Sequence, residues 1–378
     1  MAEYKAAVIG LGRMGSTFDD EMTRGGSLFL PYCHAPAYHY SPQTRLVAGA
    51  DPHDEQRSLF GDKWGLTENH LYSDYRDMVE NESPDIVSVC TTARVRPEIV
   101  KTLAKSGVKA IWAEKPIAFS LKEADEMVEI CNKENVILAV NCARRWNPLY
   151  SQAKNIITAG HIGKILQINA IGECGLSHNG SHLIDTVRFL AGSDAKWVIG
   201  EMESDAAAAS NEDIRGNGYL VFDNGARAFI RSMHNGGAPW SFEIIGEEGS
   251  IRTPNDAQSW ELNSYSTSQF PPESNTKKKS GRYPVSHQFP WPIHLQGMGL
   301  TIVEDIITSI NNSNPPKCSG KDGLKALEIA LALRESHRNG FSKIDLPLKD
   351  RTLKIESIET KNDQIPARVR KEMESKSG

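Results

Sequence analysis

No stretch of the 378 residues approaches 18 consecutive apolar positions, so no segment reads as a membrane-spanning helix. The amino terminus, MAEYKAAVIG, lacks the basic region and long apolar core of a signal peptide. Cysteine is scarce and unpatterned: Cys33, Cys90, Cys131, Cys142, Cys174 and Cys318 form no C-x-x-C pair and no disulfide framework. A basic face is missing as well. Lys and Arg number 43 against 48 Asp and Glu, a formal charge of −5, and the longest basic tract, Lys277 to Lys279, sits among Ser, Asn and Gly. Nucleic acid is therefore not an expected partner, and neither is a membrane. The expectation is a soluble, reduced, cytoplasmic protein.

Length and composition are those of a globular chain too long for one ordinary core, which predicts two domains. From Tyr4 to about Asn141, short apolar runs (Ala6–Ile9, Leu46–Ala50, Ile86–Cys90, Ala110–Ala113, Val136–Val140) alternate with longer stretches such as Pro97–Lys105 and Leu121–Asn132 that repeat at helical spacing. Runs apolar on both faces, alternating with helices, predict a doubly wound parallel sheet of the Rossmann kind over residues 1–142.

After Ser151 the strand-like stretches follow one another: Ile165–Ile171, Trp197–Glu203, Tyr219–Phe222, Ala226–Arg231, Phe242–Ile245 and Ser259–Asn263. The turn signal Asp223-Asn224-Gly225 between two of them is a hairpin cue. A mostly antiparallel open sheet flanked by helices is predicted for residues 143–349, an α+β domain, with a long loop at 265–292. Helical patterns return at Leu300–Asn311 and Leu324–Arg338, the latter a candidate to pack back on the first domain, and residues 350–378 read as a charged extension.

The first strand runs into Gly10-Leu11-Gly12-Arg13-Met14-Gly15, a G-x-G-x-x-G turn at the start of a βαβ pattern. In such a turn the first glycine allows the bend, the second lets backbone approach a pyrophosphate, and the third lets helix pack on strand, with helix N–H groups facing the phosphates. The second strand ends at Asp51, whose carboxylate suits the two ribose hydroxyls of NAD and would repel a 2′-phosphate. NAD is thus the expected cofactor, with Arg57 nearby keeping NADP as an alternative. Asp51 comes 41 residues after Gly10, where the usual interval is about 20, and the insertion Arg24–Tyr32 (RGGSLFLPY) absorbs the excess.

At the end of another strand stands Ala113-Glu114-Lys115-Pro116, where a doubly wound sheet opens onto its ligand crevice. The succession AVIGLGRMG, AGADP, EKP, ARRWNP, FEIIGEEGSI and DGLKALEIALALRES resembles the Gfo/Idh/MocA oxidoreductases over nearly the whole chain to about residue 346. That resemblance implies a lysine, Lys115, beside the reacting hydroxyl, with Pro116 as the family's frequently cis proline. It implies a cofactor-facing set of Gly10, Leu11, Gly12, Arg13, Met14, Gly15, Asp51, Thr91, Glu114, Lys115 and Pro116.

The segment Ser177 to Asp185 (SHNGSHLID) matches the family's D-x-G-x-H-x-x-D at Gly180, His182 and Asp185, but His178 stands where the aspartate is usual. Lys115, His182 and His178 are therefore the expected catalytic residues. Lys115, Arg145, Trp146, His178, Asn179 and His182 are the expected substrate contacts, against a structural reading of Arg145 and Trp146 as staples of the domain junction. A zinc site on His178, His182 and Asp185 has no cysteine or glutamate pattern to support it, so no metal is expected. Arg94 and Arg96, in place of the family's usual amide and histidine, raise an anionic substrate beside the plainer reading of a solvated helix start.

These expectations converge on an NAD-dependent dehydrogenase of a CH–OH carbon in a sugar, cyclitol or sugar derivative, assembled as a homodimer or homotetramer. The alternatives are a redox-neutral NAD-dependent glycosidase of the same superfamily and a non-catalytic sugar or cofactor sensor.

Overall fold

The computed structural model describes residues 3–22, 29–233, 240–267 and 282–356. In the amino-terminal half, β1 (Tyr4–Ile9), β2 (Thr44–Ala50), β3 (Leu71–Tyr72), β4 (Ile86–Val89), β5 (Ala110–Ala113) and β6 (Ile137–Val140) form one sheet. Its order is β3-β2-β1-β4-β5-β6 and every pairing is parallel. All five predicted runs are strands. The sixth, β3, is an edge strand of two residues, too short to leave a pattern in the sequence. Every residue of β4 and β5 is buried, because helices cover both faces of the sheet.

Those helices are α1 (His34–Tyr40), α2 (Asp54–Trp64), α3 (Tyr75–Glu82), α4 (Arg96–Ala104) and α5 (Leu121–Lys133). In α5 the Ser120 hydroxyl accepts the Glu123 N–H while the Glu123 carboxylate accepts the Ser120 N–H, a reciprocal cap, and Leu121, Ala124, Met127 and Cys131 form the buried stripe. The strand order reverses between β1 and β4. A crevice therefore opens at the carboxyl ends of the strands, where the glycine turn and the ends of β4 and β5 meet.

The helix expected after the glycine turn is reduced to a short segment, Arg13–Thr17, and a further turn, Phe18–Glu21; α1 starts only at His34. The run of helix N–H groups expected to face the phosphates is correspondingly short. Of the insertion Arg24–Tyr32, residues 24–28 lie outside the described residues, and its end returns to the crevice with Phe29 buried.

The second sheet holds β7 (Ile165–Glu173), β8 (Ala195–Met202), β9 (Gly216–Phe222), β10 (Arg227–Met233), β11 (Trp240–Gly246), β12 (Gly249–Thr253), β13 (Glu261–Thr267), β14 (Arg282–His287) and β15 (Ile344–Asp345). Its order is β14-β13-β12-β11-β7-β10-β9-β8-β15, antiparallel throughout except for β7 with β10. The Asp223-Asn224-Gly225 cue lies in the β9–β10 hairpin, with Gly225 at φ +85°. The long loop expected at 265–292 is corrected: β13 and β14 pair across it, and residues 268–281 lie outside the described ones. The predicted run Ser259–Asn263 falls on the start of β13; the rest of β13 and the edge strand β14 carry Ser, Tyr and His with no apolar alternation to announce them.

Helices α6 (Pro148–Thr158), α7 (Gly180–Ala191), α8 (Asp205–Ala209), α9 (Met298–Asn312) and α10 (Gly320–Arg338) complete the chain. Helix α10 packs on β8 and also on α5 and β6 of the first sheet, where a Cβ on Gly323 would press on Val140. The Val140 N–H donates to Cys318 O at 3.0 Å, so the edge of the first sheet takes in the approach to α10. Residues 351–356 are part of the fold rather than a free extension: Leu121 N–H bonds Leu353 O, and Ile355 N–H bonds Phe119 O. Among the described residues no helix is long and apolar enough to cross a membrane.

Candidate active site

A cavity of about 1610 Å³ follows the carboxyl ends of the first sheet and continues toward α7 and β11. That exceeds the roughly 300–1,000 Å³ of a drug-sized pocket and leaves room for a dinucleotide and a small second molecule. Gly10, Gly12, Arg13, Met14, Asp51, Thr91, Glu114, Lys115, Pro116, His178, Asn179 and His182 all line it. Leu11, Gly15, Arg145 and Trp146 do not.

The glycine turn behaves as its residue types require. Gly10 has φ +86°, a conformation L side chains rarely adopt, and a Cβ on Gly15 would run into the Gly10 carbonyl oxygen. A Cβ on Gly12 would meet nothing within 4 Å, so the backbone there is open on the cavity side. Leu11 buries its side chain and donates its N–H to Asp51 Oδ2 at 3.0 Å, while Asp51 Oδ1 accepts the His53 N–H at 3.0 Å. The Arg57 guanidinium is turned to the Asp51 carbonyl, at 2.7 Å, and to the Asp54 carboxylate. Two polar atoms of the cavity wall, Thr91 Oγ1 and Asn141 Oδ1, are buried with no partner. An open backbone cradle, a carboxylate at the end of β2 and unsatisfied polar atoms past the ends of β4 and β6 fit a bound dinucleotide.

Beyond β5, Glu114 is 4% exposed and tied into a network. Its Oε1 lies 3.1 Å from His34 Nε2 and accepts from Asn141 Nδ2 at 2.6 Å, and His34 Nδ1 lies 2.8 Å from Ser88 Oγ. Burial alone would raise the Glu114 pKa; the hydrogen bonds from His34 and Asn141 and the charge of Lys115 together hold it well below the usual carboxylate range. Glu114 is thus a buried anion on the cavity wall, and its Oε2 accepts the Lys115 N–H at 3.2 Å. The Lys115–Pro116 peptide is cis, as the resemblance implies. Lys115 Nζ donates to Asn179 Oδ1 at 3.0 Å and lies 3.4 Å from His178 Nε2. Burial lowers the Lys115 pKa, opposed mainly by Glu114.

His182 lies on the first turn of α7, with Nδ1 buried and unpartnered. Burial, reinforced by the charges of Lys115 and Arg144, pushes its pKa well below the usual histidine value, so the imidazole is neutral near pH 7. His178 precedes the helix, so the two histidines do not share a helical face, yet both reach the cavity. Asp185 does not join them. Its carboxylate is gripped by Arg145, at 2.7 and 2.8 Å, and the zinc trio considered from the sequence is not assembled. Among the described residues the thiols beside Asp185 are Cys142 and Cys318, all three buried.

Arg145 and Trp146 are corrected as substrate contacts. Arg145 bridges Asp185 and Asp322, and Trp146, 1% exposed, donates Nε1–H to Asp305 Oδ2 at 2.8 Å. Both staple the junction to α7, α9 and the start of α10. Arg96, 2% exposed, donates to the carbonyls of Thr91 and Pro116 and so ties the ends of β4 and β5 together. Arg94 is exposed and faces Glu356 and the Phe119 ring.

Sequence reasoning missed several wall residues. Arg144 lines the cavity, paired with Asp256 at 2.9 and 3.0 Å and stacked 4.2 Å from the Trp240 ring centre. Tyr150 OH donates to the same carboxylate at 2.9 Å. Asp213, ahead of β9, accepts the N–H groups of Ser177 and His178. Asn141, at the end of β6, occupies the same edge as Glu114 and was legible from that position; Asp213 and Asp256 come from loops distant in sequence and carried no signal.

Residues 4–142 match the oxidoreductase family's NAD-binding Rossmann fold (GFO_IDH_MocA), and residues 170–346 match the same family's C-terminal alpha/beta domain. The chain is 25% identical to a D-apiose dehydrogenase of Paraburkholderia graminis, over 94% of this chain and 91% of that protein. It is also 25% identical to the scyllo-inositol 2-dehydrogenase (NAD(+)) of Bacillus subtilis, over 90% and 95%. An oxidoreductase from Agrobacterium radiobacter solved with NAD+, L-tartaric acid and magnesium superposes with a TM-score of 0.71 at 20% identity, over 91% of this chain and 98% of that one.

Proposed function

Since the chain belongs to the Gfo/Idh/MocA oxidoreductase family, with its NAD-binding Rossmann domain, we propose that it is an NAD-dependent dehydrogenase of a neutral sugar, cyclitol or related polyol. The observation that carries this is Lys115. Its ammonium stands at the carboxyl end of β5, 3.0 Å from Asn179, in the cavity that also holds the glycine turn and a neutral His182. Nicotinamide, when bound, supplies the hydride acceptor or donor. Lys115 hydrogen-bonds the reacting hydroxyl and stabilises negative charge on its oxygen as the proton leaves. His182, neutral and with Nδ1 unpartnered, is the group suited to take that proton. His178 and Asn179 orient the ammonium.

Two further observations support the particulars. Arg57 is held by Asp51 O and Asp54 and does not line the cavity, whereas the Asp51 carboxylate does, which favours NAD over NADP. A neutral substrate is favoured over an anionic one because Arg96 is bound to backbone carbonyls, Arg94 lies off the cavity, and Arg144 is matched by Asp256. A carboxylate, a guanidinium and Trp240 on one wall suit hydroxyl pairs and the CH face of a ring. The D-apiose and inositol specificities of the relatives point the same way. We read the exposed face of the second sheet, with Leu166 and Phe229 nearly half exposed, as the homo-oligomer surface.

A panel of neutral sugars, cyclitols and uronates assayed with NAD and NADP for nicotinamide absorbance tests the proposal. NADH formation on a neutral member supports it. Activity confined to uronates or phosphosugars, glycoside cleavage without net NADH, or binding without turnover would each replace it.

A further inference from the structure

Asp213 lies in the connection between α8 and β9, away from every motif that identifies the site. Three consecutive backbone N–H groups are stitched to it and its neighbour. Leu176 N–H donates to Ile214 O at 3.1 Å, Ser177 N–H to Asp213 Oδ1 at 2.6 Å, and His178 N–H to Asp213 Oδ2 at 2.7 Å. Gly175 makes this approach feasible, for a Cβ there would sit 2.8 Å from the Asp213 carboxylate. The next residues in the chain, His178 and Asn179, are the two whose side chains meet Lys115 Nζ, and Gly180 opens the helix that carries His182.

The far side of Asp213 is held by the strap near the carboxyl terminus. Its N–H donates to Glu356 O at 3.0 Å, and Glu356 N–H donates to Asn211 O at 2.7 Å. One residue earlier, Ile355 N–H bonds Phe119 O, four residues past Lys115. The strap thus lies between the loop that carries the lysine and the loop that carries the carboxylate.

We propose that Asp213 is a positioning residue of the dehydrogenase site: its carboxylate fixes the 176–178 turn so that His178 and Asn179 meet the Lys115 ammonium, and it supplies negative charge beside that ammonium which the imidazole at position 178 lacks. The proposal rests on the reading of Lys115 as the group at the reacting hydroxyl. Burial raises the pKa of Asp213, opposed by its backbone donors and by Lys115. The other charged or titratable groups acting on Lys115 are Glu114, Cys142 and Arg96, with His178 and His182 beside it. In its ionised form, in which it accepts the two backbone N–H groups, the Asp213 carboxylate favours the lysine's charged form.

The test uses the full chain with Asp213→Asn, Asp213→Ala and Gly175→Ala. Three quantities are read: kcat and KM on the best polyol, NAD affinity by calorimetry, and the pH midpoint for acylation of Lys115 measured by mass spectrometry. The asparagine keeps the shape but offers one acceptor oxygen to two N–H donors. It should lower kcat about tenfold or more, as loss of positioning does. NAD affinity should stay within about threefold, and the Lys115 midpoint should move to lower pH because a neighbouring negative charge is gone. Gly175→Ala, which displaces the carboxylate without removing it, should lower kcat with NAD binding retained, and decides the matter if the Asp213 variants fail to fold. Unchanged kcat and an unchanged Lys115 midpoint in a folded Asp213→Asn protein would overturn the proposal. Should the unmodified chain oxidise no polyol at all, the dehydrogenase reading fails, while the Lys115 midpoint still decides whether Asp213 acts on the lysine.

Discussion

Glu114 and His34 meet at 3.1 Å inside the first domain, each almost wholly buried, and the other Glu114 oxygen accepts the Lys115 N–H at 3.2 Å. With Nε2 protonated, His34 donates to the carboxylate while Nδ1 accepts from Ser88. Burial lowers the His34 pKa despite the carboxylate, so the pair is a neutral imidazole on an anion. The glutamate of the E-K-P turn therefore serves the lysine as a fixed negative charge that opposes the loss of the ammonium proton on burial.

His34→Ala should consequently destabilise the protein by about 3 kcal/mol, since it strips a partner from a buried charge. The Glu114 pKa lies below its unfolded value, so the stability it confers is complete above the ordinary carboxylate range and is lost as pH falls through its depressed value. Urea unfolding at neutral and acid pH checks both, and the gap between His34→Ala and the parent should shrink as the carboxylate protonates.

Asp51 should set cofactor preference. Asp51→Asn keeps one acceptor for the Leu11 and His53 N–H groups but removes the charge that a 2′-phosphate would face. The unmodified protein should bind NAD more tightly than NADP, and the substitution should narrow the difference about tenfold. Calorimetry with both nucleotides measures it, and tighter NADP binding by the parent would count against the assignment.

The two arginines after β4 should separate cleanly. Arg94→Glu should leave KM for the best substrate within about twofold, because Arg94 is exposed and off the cavity. Arg96→Ala should unfold at lower urea, losing bonds to the carbonyls of Thr91 and Pro116. A large rise in KM from Arg94→Glu with an intact fold would restore the anionic-substrate reading.

The first sheet was legible because burial on both faces leaves the inner part of its strands mainly apolar, and because Gly10 and Lys115 stand where strand ends must open. The second sheet was legible where one face is buried, as in β7, β9 and β11. Of β13 only the start was, at Ser259–Asn263; its remainder and the edge strand β14 were not, since strands at a sheet's edge need no apolar alternation. Within the site, charge alone could not tell Arg144, which lines the cavity, from Arg145, which braces Asp185: they are adjacent, and a short helical turn points them apart. Asp213 and Asp256 were beyond reach for a different reason. They are brought in by long-range packing, and a single aspartate in a polar loop has no pattern.

The most direct test of the account is the single-turnover rate of NADH formation on the best polyol, compared among the parent, Lys115→Ala and His182→Ala. The account predicts losses of about 10²-fold or more for the lysine and about 10²–10⁴-fold for the histidine. NAD affinity should be nearly unchanged, because the glycine turn and Asp51 lie apart from both. In the parent, the rate should hold to pH values below the ordinary histidine pKa, since His182 stays neutral there, and should fall on the alkaline side before the ordinary lysine pKa is reached. Near-parental rates in both folded variants would contradict the mechanism and move the chemistry away from Lys115.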